Sequence, residues 1–157
     1  ERAPDKREVG SSILPRPTRD SSTVPSYQLD SSEFFVAKIE RFEEIKAWQL
    51  ARDLVKIIYS FTYRTSFHKD SSLSIQIQRA AVSIMSNIAE GFGRGSNREF
   101  VNFLHIARGS CAEVRSLLYV ALDLGYIDEK EFTRASQQAE ETSKAISGFV
   151  RYLKSAQ

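Results

Sequence analysis

From Ser26 to Gln157 the chain contains no proline, and over most of that length apolar residues recur at alternating intervals of three and four. An α-helix turns once in 3.6 residues, so this spacing lays apolar side chains along one stripe that must be buried. Four such stripes can be drawn. The first is Ala47, Ala51, Leu54, Ile58 and Phe61, widened by Trp48, Leu50, Val55 and Ile57. The second is Ile77, Ala81, Ile84 and Ile88. The third runs without interruption through Phe100, Leu104, Ala107, Cys111, Val114, Leu118 and Ala121, and the fourth through Phe132, Ala135, Ala139, Thr142, Ile146, Phe149 and Leu153.

Local chemistry sets the boundaries. Ser96 with Glu99 and Asp128 with Glu131 have the spacing of capping boxes, in which each side chain accepts a free backbone N–H of the first turn. Ile127 and Phe132 add a hydrophobic staple around the second box. Leu124 followed by Gly125 is a stop, because glycine enters the left-handed conformation without a Cβ penalty. The third helix is therefore expected over about Asn97 to Leu124, and its link to the fourth, Gly125 to Asp128, is short enough to force antiparallel neighbours. Arg64 to Ser72 is expected to join the first two helices. The expected fold is all-α: an antiparallel, up-down-up-down four-helix bundle.

All four prolines, Pro4, Pro15, Pro17 and Pro25, lie in the first 25 residues among many serines. Such a stretch buries too little apolar surface to offset its ordering entropy. Residues 1–40 are thus expected to be a flexible Pro/Ser-rich tail, an appended or leader segment, and residues 41–157 the bundle. The first 40 residues carry net −1 and the rest net +3, a mildly basic balance that argues only weakly for nucleic acid. No apolar run approaches the roughly 20 residues needed to span a bilayer, and no secretory signal is evident, so a cytoplasmic setting without membrane contact is expected. Cys111 is the only cysteine, which excludes an internal disulfide and a thiolate zinc cage.

The third helix has a second apolar seam, Phe103, Ile106, Leu117, Val120 and Leu124, interrupted by Ser110 and Glu113. It either faces a neighbouring subunit or widens the stripe buried within one bundle. Phe103, Ile106, Leu117 and Val120 are the candidate interface residues. Gly91, Gly93 and Gly95, with Arg94 and Arg98, precede the third helix, where free N–H groups favour an anion. No strand precedes them and no Walker lysine follows, so the alternative is a helix-breaking connection in which Glu90 and Arg94 pair four residues apart. His105, Arg108, Arg115 and Tyr119 share one face of the third helix, the residue types that hold phosphates and stack a base, although mixed charge on a solvated helix face is common. Trp48 and Gly109 read as packing features that set how closely helices approach.

Catalytic chemistry is sparse. His68 and His105, the only histidines, have no partner at metal-ligand spacing, and neither the Glu-x-x-His pattern of di-iron bundles nor a Gly-x-Ser-x-Gly elbow occurs. No catalytic residue, metal or cofactor is expected, and the chain is read as a non-enzymatic binding protein.

Three stretches resemble a known family: FEEIKAWQLARDLV (Phe42–Val55), IQRAAVSIMSNIAEGFGRGSNREFVNFLHIARGSCAEV (Ile77–Val114) and ALDLGYIDEKEF (Ala121–Phe132). They are similar to the small four-helix-bundle proteins encoded in intervening sequences of bacterial 23S ribosomal RNA genes. The resemblance implies a bundle that assembles as a ring-like homopentamer. That family is similar in turn to the accessory protein of diversity-generating retroelements, which implies RNA or DNA bound through a basic surface and a reverse transcriptase as partner. The residues expected to carry nucleic-acid contact are Arg79, Arg94, Arg98, Arg108 and Arg115. A protein–protein scaffold without nucleic acid is the alternative. The chain departs from the family at Met85, where proline is frequent, and at Gln78, which replaces one of two basic residues before the alanines.

Overall fold

The computed structural model describes residues 39–155, and within them every regular element is helical. A 3₁₀ turn, Phe42–Glu44, leads into α1 (Lys46–Thr62), α2 (Thr65–Lys69), α3 (Ser71–Gly93), α4 (Asn97–Asp123) and α5 (Glu129–Ser155). The four long helices close a circuit: α1 packs on α3 and α5, and α4 packs on the same two. The stripes face inward. Ala47, Ala51, Leu54, Ile58 and Phe61 of α1, Ile77, Ala81, Ile84 and Ile88 of α3, and all seven residues of the third stripe are buried in one cluster. In α5, Ala135, Ala139, Thr142, Ile146 and Leu153 are buried, whereas Phe132 and Phe149 are half-buried and Val150 takes a core place.

The connections at one end are tied together. Asp128 Oδ1 accepts from the Glu131 backbone N–H at 2.8 Å and Glu131 Oε2 accepts from that of Asp128 at 3.1 Å, the expected reciprocal box. Glu131 also pairs with Arg64 at 2.7 Å across the two connections. Gly125 has φ +70, and the N–H groups of Gly125 and Tyr126 donate to the carbonyls of Leu122 and Ala121, both at 2.9 Å. These are the two bonds of a Schellman stop for α4. The stretch expected to be a plain connection, Arg64 to Ser72, contains α2 instead. The reason is Phe67, fully buried and stacked between Phe61 and Tyr126 at centroid distances of 6.0 and 4.9 Å. Asp70 then caps α3, its Oδ1 accepting from the Leu73 N–H at 3.1 Å.

Four expectations are corrected. The glycine run does not break the helix at Gly91, because α3 continues to Gly93 and the backbone leaves helical geometry only at Gly95, with φ +68, and Ser96. Gly91 serves close packing: a Cβ there would meet Phe100 Cδ2 at 2.6 Å and Phe103 Cβ at 2.7 Å. Gly109 does not set a helix approach, since it is exposed and a Cβ would meet nothing within 4 Å. Ser96 is the N-cap residue of α4 with extended backbone, but its hydroxyl makes no capping bond. The folded part also begins earlier than residue 41, because Ile39 packs on the core and the Glu40 N–H donates to Glu44 Oε2 at 3.2 Å. The expectation of a flexible tail otherwise falls on residues 1–38, outside the described residues.

Candidate nucleic-acid and subunit interfaces

Helix α4 is long enough to present two different flanks beside its buried stripe. Phe103, Ile106, Ser110, Glu113, Leu117, Val120 and Leu124 follow one another at intervals of three and four and so share a flank. That flank is turned toward α3: Ser83 Oγ and Ser110 Oγ lie 2.9 Å apart, Gln76 Nε2 reaches Glu113 Oε1 at 3.5 Å, and Phe103 sits against Gly91. The four candidate interface residues divide along it. Phe103 and Leu117 are half-buried, while Ile106 and Val120 are 53% and 42% exposed.

The sequence reading missed the part of this surface supplied by α3. Ile75 and Val82 are exposed large apolar residues seven positions apart, with Arg79 between them on the same face. Four of the seven exposed large apolar residues among the described ones, Ile75, Val82, Ile106 and Val120, belong to α3 and this flank of α4, and Leu124 follows just past its end. The signal was available, since Ile75 and Val82 lie off the Ile77, Ala81, Ile84, Ile88 stripe at a spacing of two helical turns.

The other flank of α4 carries Arg98, His105, Arg108, Arg115 and Tyr119. It adjoins α5, because the Tyr119 ring meets Phe132 edge-on at 4.8 Å and the positive charge of Arg115 reaches Glu140. Glu140 itself is held below the usual carboxylate range, first by its hydrogen bond and ion pair with Lys144 and to a lesser degree by Arg115. Arg98, Arg108 and Arg115 are exposed and make no ion pair or hydrogen bond among the described residues. Arg108 and Arg115 are two turns apart, about 10 Å along the axis.

The remaining two arginines do not join them. Arg94 pairs with Glu90 and lies 5.1 Å from the centroid of the Phe103 ring, so both its charge and its planar face are engaged. Arg79 is on α3, bordering an open cleft of about 710 Å³ with Ser72, Gln76, Ser83 and Glu113. The structure thus gathers three of the five arginines on one flank and places Arg79 with the apolar surface.

The Cys111 thiol is buried and burial pushes it up to about 12, so it is protonated and inert at neutral pH. Among the described residues no three His, Cys, Asp or Glu side chains gather as metal ligands, and no helix is long and apolar enough to cross a membrane.

The family model for 23S rRNA-intervening sequence proteins matches residues 43–148. The chain belongs to this family. A protein of unknown function from the S23 ribosomal protein family of Bacteroides thetaiotaomicron, known from a crystal structure, has a similar fold. Its TM-score is 0.61 at 23% identity, over 67% of this chain and 95% of that one. No curated protein matches the chain. The intervening-sequence match spans all of α1 to α4 and α5 up to Gly148, so both flanks of α4 lie within the family's own region.

Proposed function

We propose that this intervening-sequence protein is a non-enzymatic, up-down-up-down four-helix bundle that associates with copies of itself as a ring-like homopentamer and binds RNA or DNA on its outer basic flank. The observation that carries this reading is the segregation of α4: unpaired arginines on the α5 side, exposed apolar residues on the α3 side. Exposed apolar residues gathered on one face favour association, and a ring repeats a mildly basic flank several times. In this reading Ile106 and Val120 belong to the subunit seam with Ile75 and Val82, Phe103 and Leu117 support it from beneath, and Arg79 belongs to the same seam. Arg98, Arg108 and Arg115 face phosphates. We extend the proposal to a polymerase such as a reverse transcriptase as a protein partner and to a cytoplasmic setting.

Light scattering on the purified protein should give a multiple of the chain mass, and Ile106→Asp with Val120→Asp should reduce it to single subunits. Nucleic-acid affinity should fall steeply with salt, and Arg108→Ala with Arg115→Ala should weaken binding to all sequences alike. Absent or salt-insensitive binding would end the nucleic-acid part. The second reading, a protein scaffold, draws on the engagement of Arg94 and the position of Arg79 among apolar residues. A stoichiometric protein partner that survives nuclease and high salt would favour it.

A further inference from the structure

The basic flank of α4 ends in an aromatic ring. Two large aromatic side chains are exposed among the described residues: Tyr63 follows α1, whereas Tyr119, 57% exposed, stands on the basic flank itself. Arg108, Ala112, Arg115 and Tyr119 succeed one another at intervals of four, three and four, so they form one row along the helix. The two arginines stand about 10 Å apart with only the small, exposed Ala112 between them, and the ring lies about 6 Å beyond Arg115. Phe132 of α5 meets the Tyr119 ring at 4.8 Å and an interplanar angle of 60°, which props the ring from the α5 side while more than half of the residue stays open to solvent. Asp123, exposed one turn further on, is negative, so the row passes from cations to a ring and then stops favouring phosphate.

Such a row distinguishes between forms of nucleic acid. Inside a duplex both faces of each base are covered by its neighbours, and a protein meets only the backbone and the base edges in the grooves. Reading those edges takes a helix that enters the major groove, about 12 Å wide. Helix α4 is barred from this along its basic flank, because α5 packs beside it and each helix with its side chains is about 10–12 Å across. The ring therefore has no partner on an intact duplex. On a single strand the sugar-phosphate chain can follow the arginines while an unstacked base turns onto the ring, a contact open to every base because each has a π-face. Resting on the nucleic-acid contact already assigned to this flank, we propose that the row takes single-stranded rather than duplex RNA or DNA, with Arg108 and Arg115 holding phosphates and Tyr119 stacking one base.

Fluorescence anisotropy with a labelled oligonucleotide, single or annealed to its complement, tests this on the full chain. The parent should bind the single strand more tightly than the duplex. Tyr119→Leu should weaken single-strand binding about tenfold, the loss of one stacked base, and leave duplex binding unchanged. Tyr119→Phe keeps the ring face and should bind as the parent does. The slope of log affinity against log salt should be the same for Tyr119→Leu as for the parent, because no phosphate contact is lost, whereas a general disturbance of the flank would change it. Equal single-strand affinity of Tyr119→Leu and the parent overturns the proposal and leaves the nucleic-acid reading standing, as does a duplex bound as tightly as the single strand. A parent that binds neither form removes the proposed nucleic-acid function itself, and this inference with it.

Discussion

Replacing Gly91 by alanine puts the approach of α3 to α4 to a quantitative test. Within a helix, glycine is worse than alanine by about 0.5–1 kcal/mol, because it gives up more backbone freedom on folding. On that term alone Gly91→Ala would stabilise. The structure opposes it, since the new methyl would lie 2.6 Å from Phe100 Cδ2 and 2.7 Å from Phe103 Cβ. Phe103 Cβ is anchored directly to the α4 backbone, so relief requires the two helices to separate over the contact that also holds Phe92 against Phe100 at 6.2 Å. Overpacking of this kind costs about 1–3 kcal/mol, and against the propensity gain the midpoints leave a net loss of roughly 1 kcal/mol. Gly109→Ala is the control: the same propensity gain, open space around the methyl, and an expected gain of roughly 0.5–1 kcal/mol. Urea denaturation at one fixed protein concentration reads both, so that self-association contributes equally. If Gly91→Ala matched or exceeded the parent in stability, the close-packing role of this glycine would be wrong.

Two further outcomes follow from the connections at the far end. Asp128→Ala should cost about 1 kcal/mol through loss of the α5 cap that its bond to the Glu131 N–H supplies, and an unchanged urea midpoint would contradict this. The Tyr126 phenol is pushed above its ordinary value, first by desolvation and then by the Asp70 carboxylate, to which its hydroxyl donates at 3.3 Å. A raised value means its contribution is present below the ordinary tyrosine range near 10 and is lost as pH climbs past it. Tyr126→Phe should therefore flatten the alkaline fall in melting temperature, and an equally steep fall would rule out this assignment.

The buried stripes could be read from the sequence because burial of one helix face imposes a period, and Ala107, Cys111, Val114 and Leu118 obey it over three turns. The Asp128–Glu131 box and the Gly125 stop were legible for a related reason: both depend on residues within five positions of one another. What escaped is what depends on contacts distant along the chain. Gly91 reads locally as a helix breaker, yet its role is set by Phe100 and Phe103 on another helix. Phe67 stands in a stretch too short to show periodicity, and only Phe61 and Tyr126 explain why it is buried. Ser96 occupies the cap position as expected, but spacing does not dictate where its hydroxyl turns. The exposed arginines could be named from the sequence, while their grouping depended on the packing of α3, α4 and α5.

Arg94 illustrates that last point and separates two kinds of arginine on this surface. To meet a phosphate it must give up an exposed i,i+4 pair with Glu90, worth about 0.3–0.5 kcal/mol, and a position over the Phe103 ring worth about 0.5–1 kcal/mol. Arg108 and Arg115 give up no such partner. Each phosphate contact contributes about 0.7–0.9 to the slope of log affinity against log salt. Arg108→Ala should therefore lower that slope by nearly one, and Arg115→Ala should do the same, while Arg94→Ala should leave it almost unchanged. Fluorescence anisotropy with one oligonucleotide over a salt series measures all three, and a slope change for Arg94→Ala as large as that for Arg108→Ala would mean that the Glu90 pair opens on binding and that the glycine-rich corner is part of the contact surface after all.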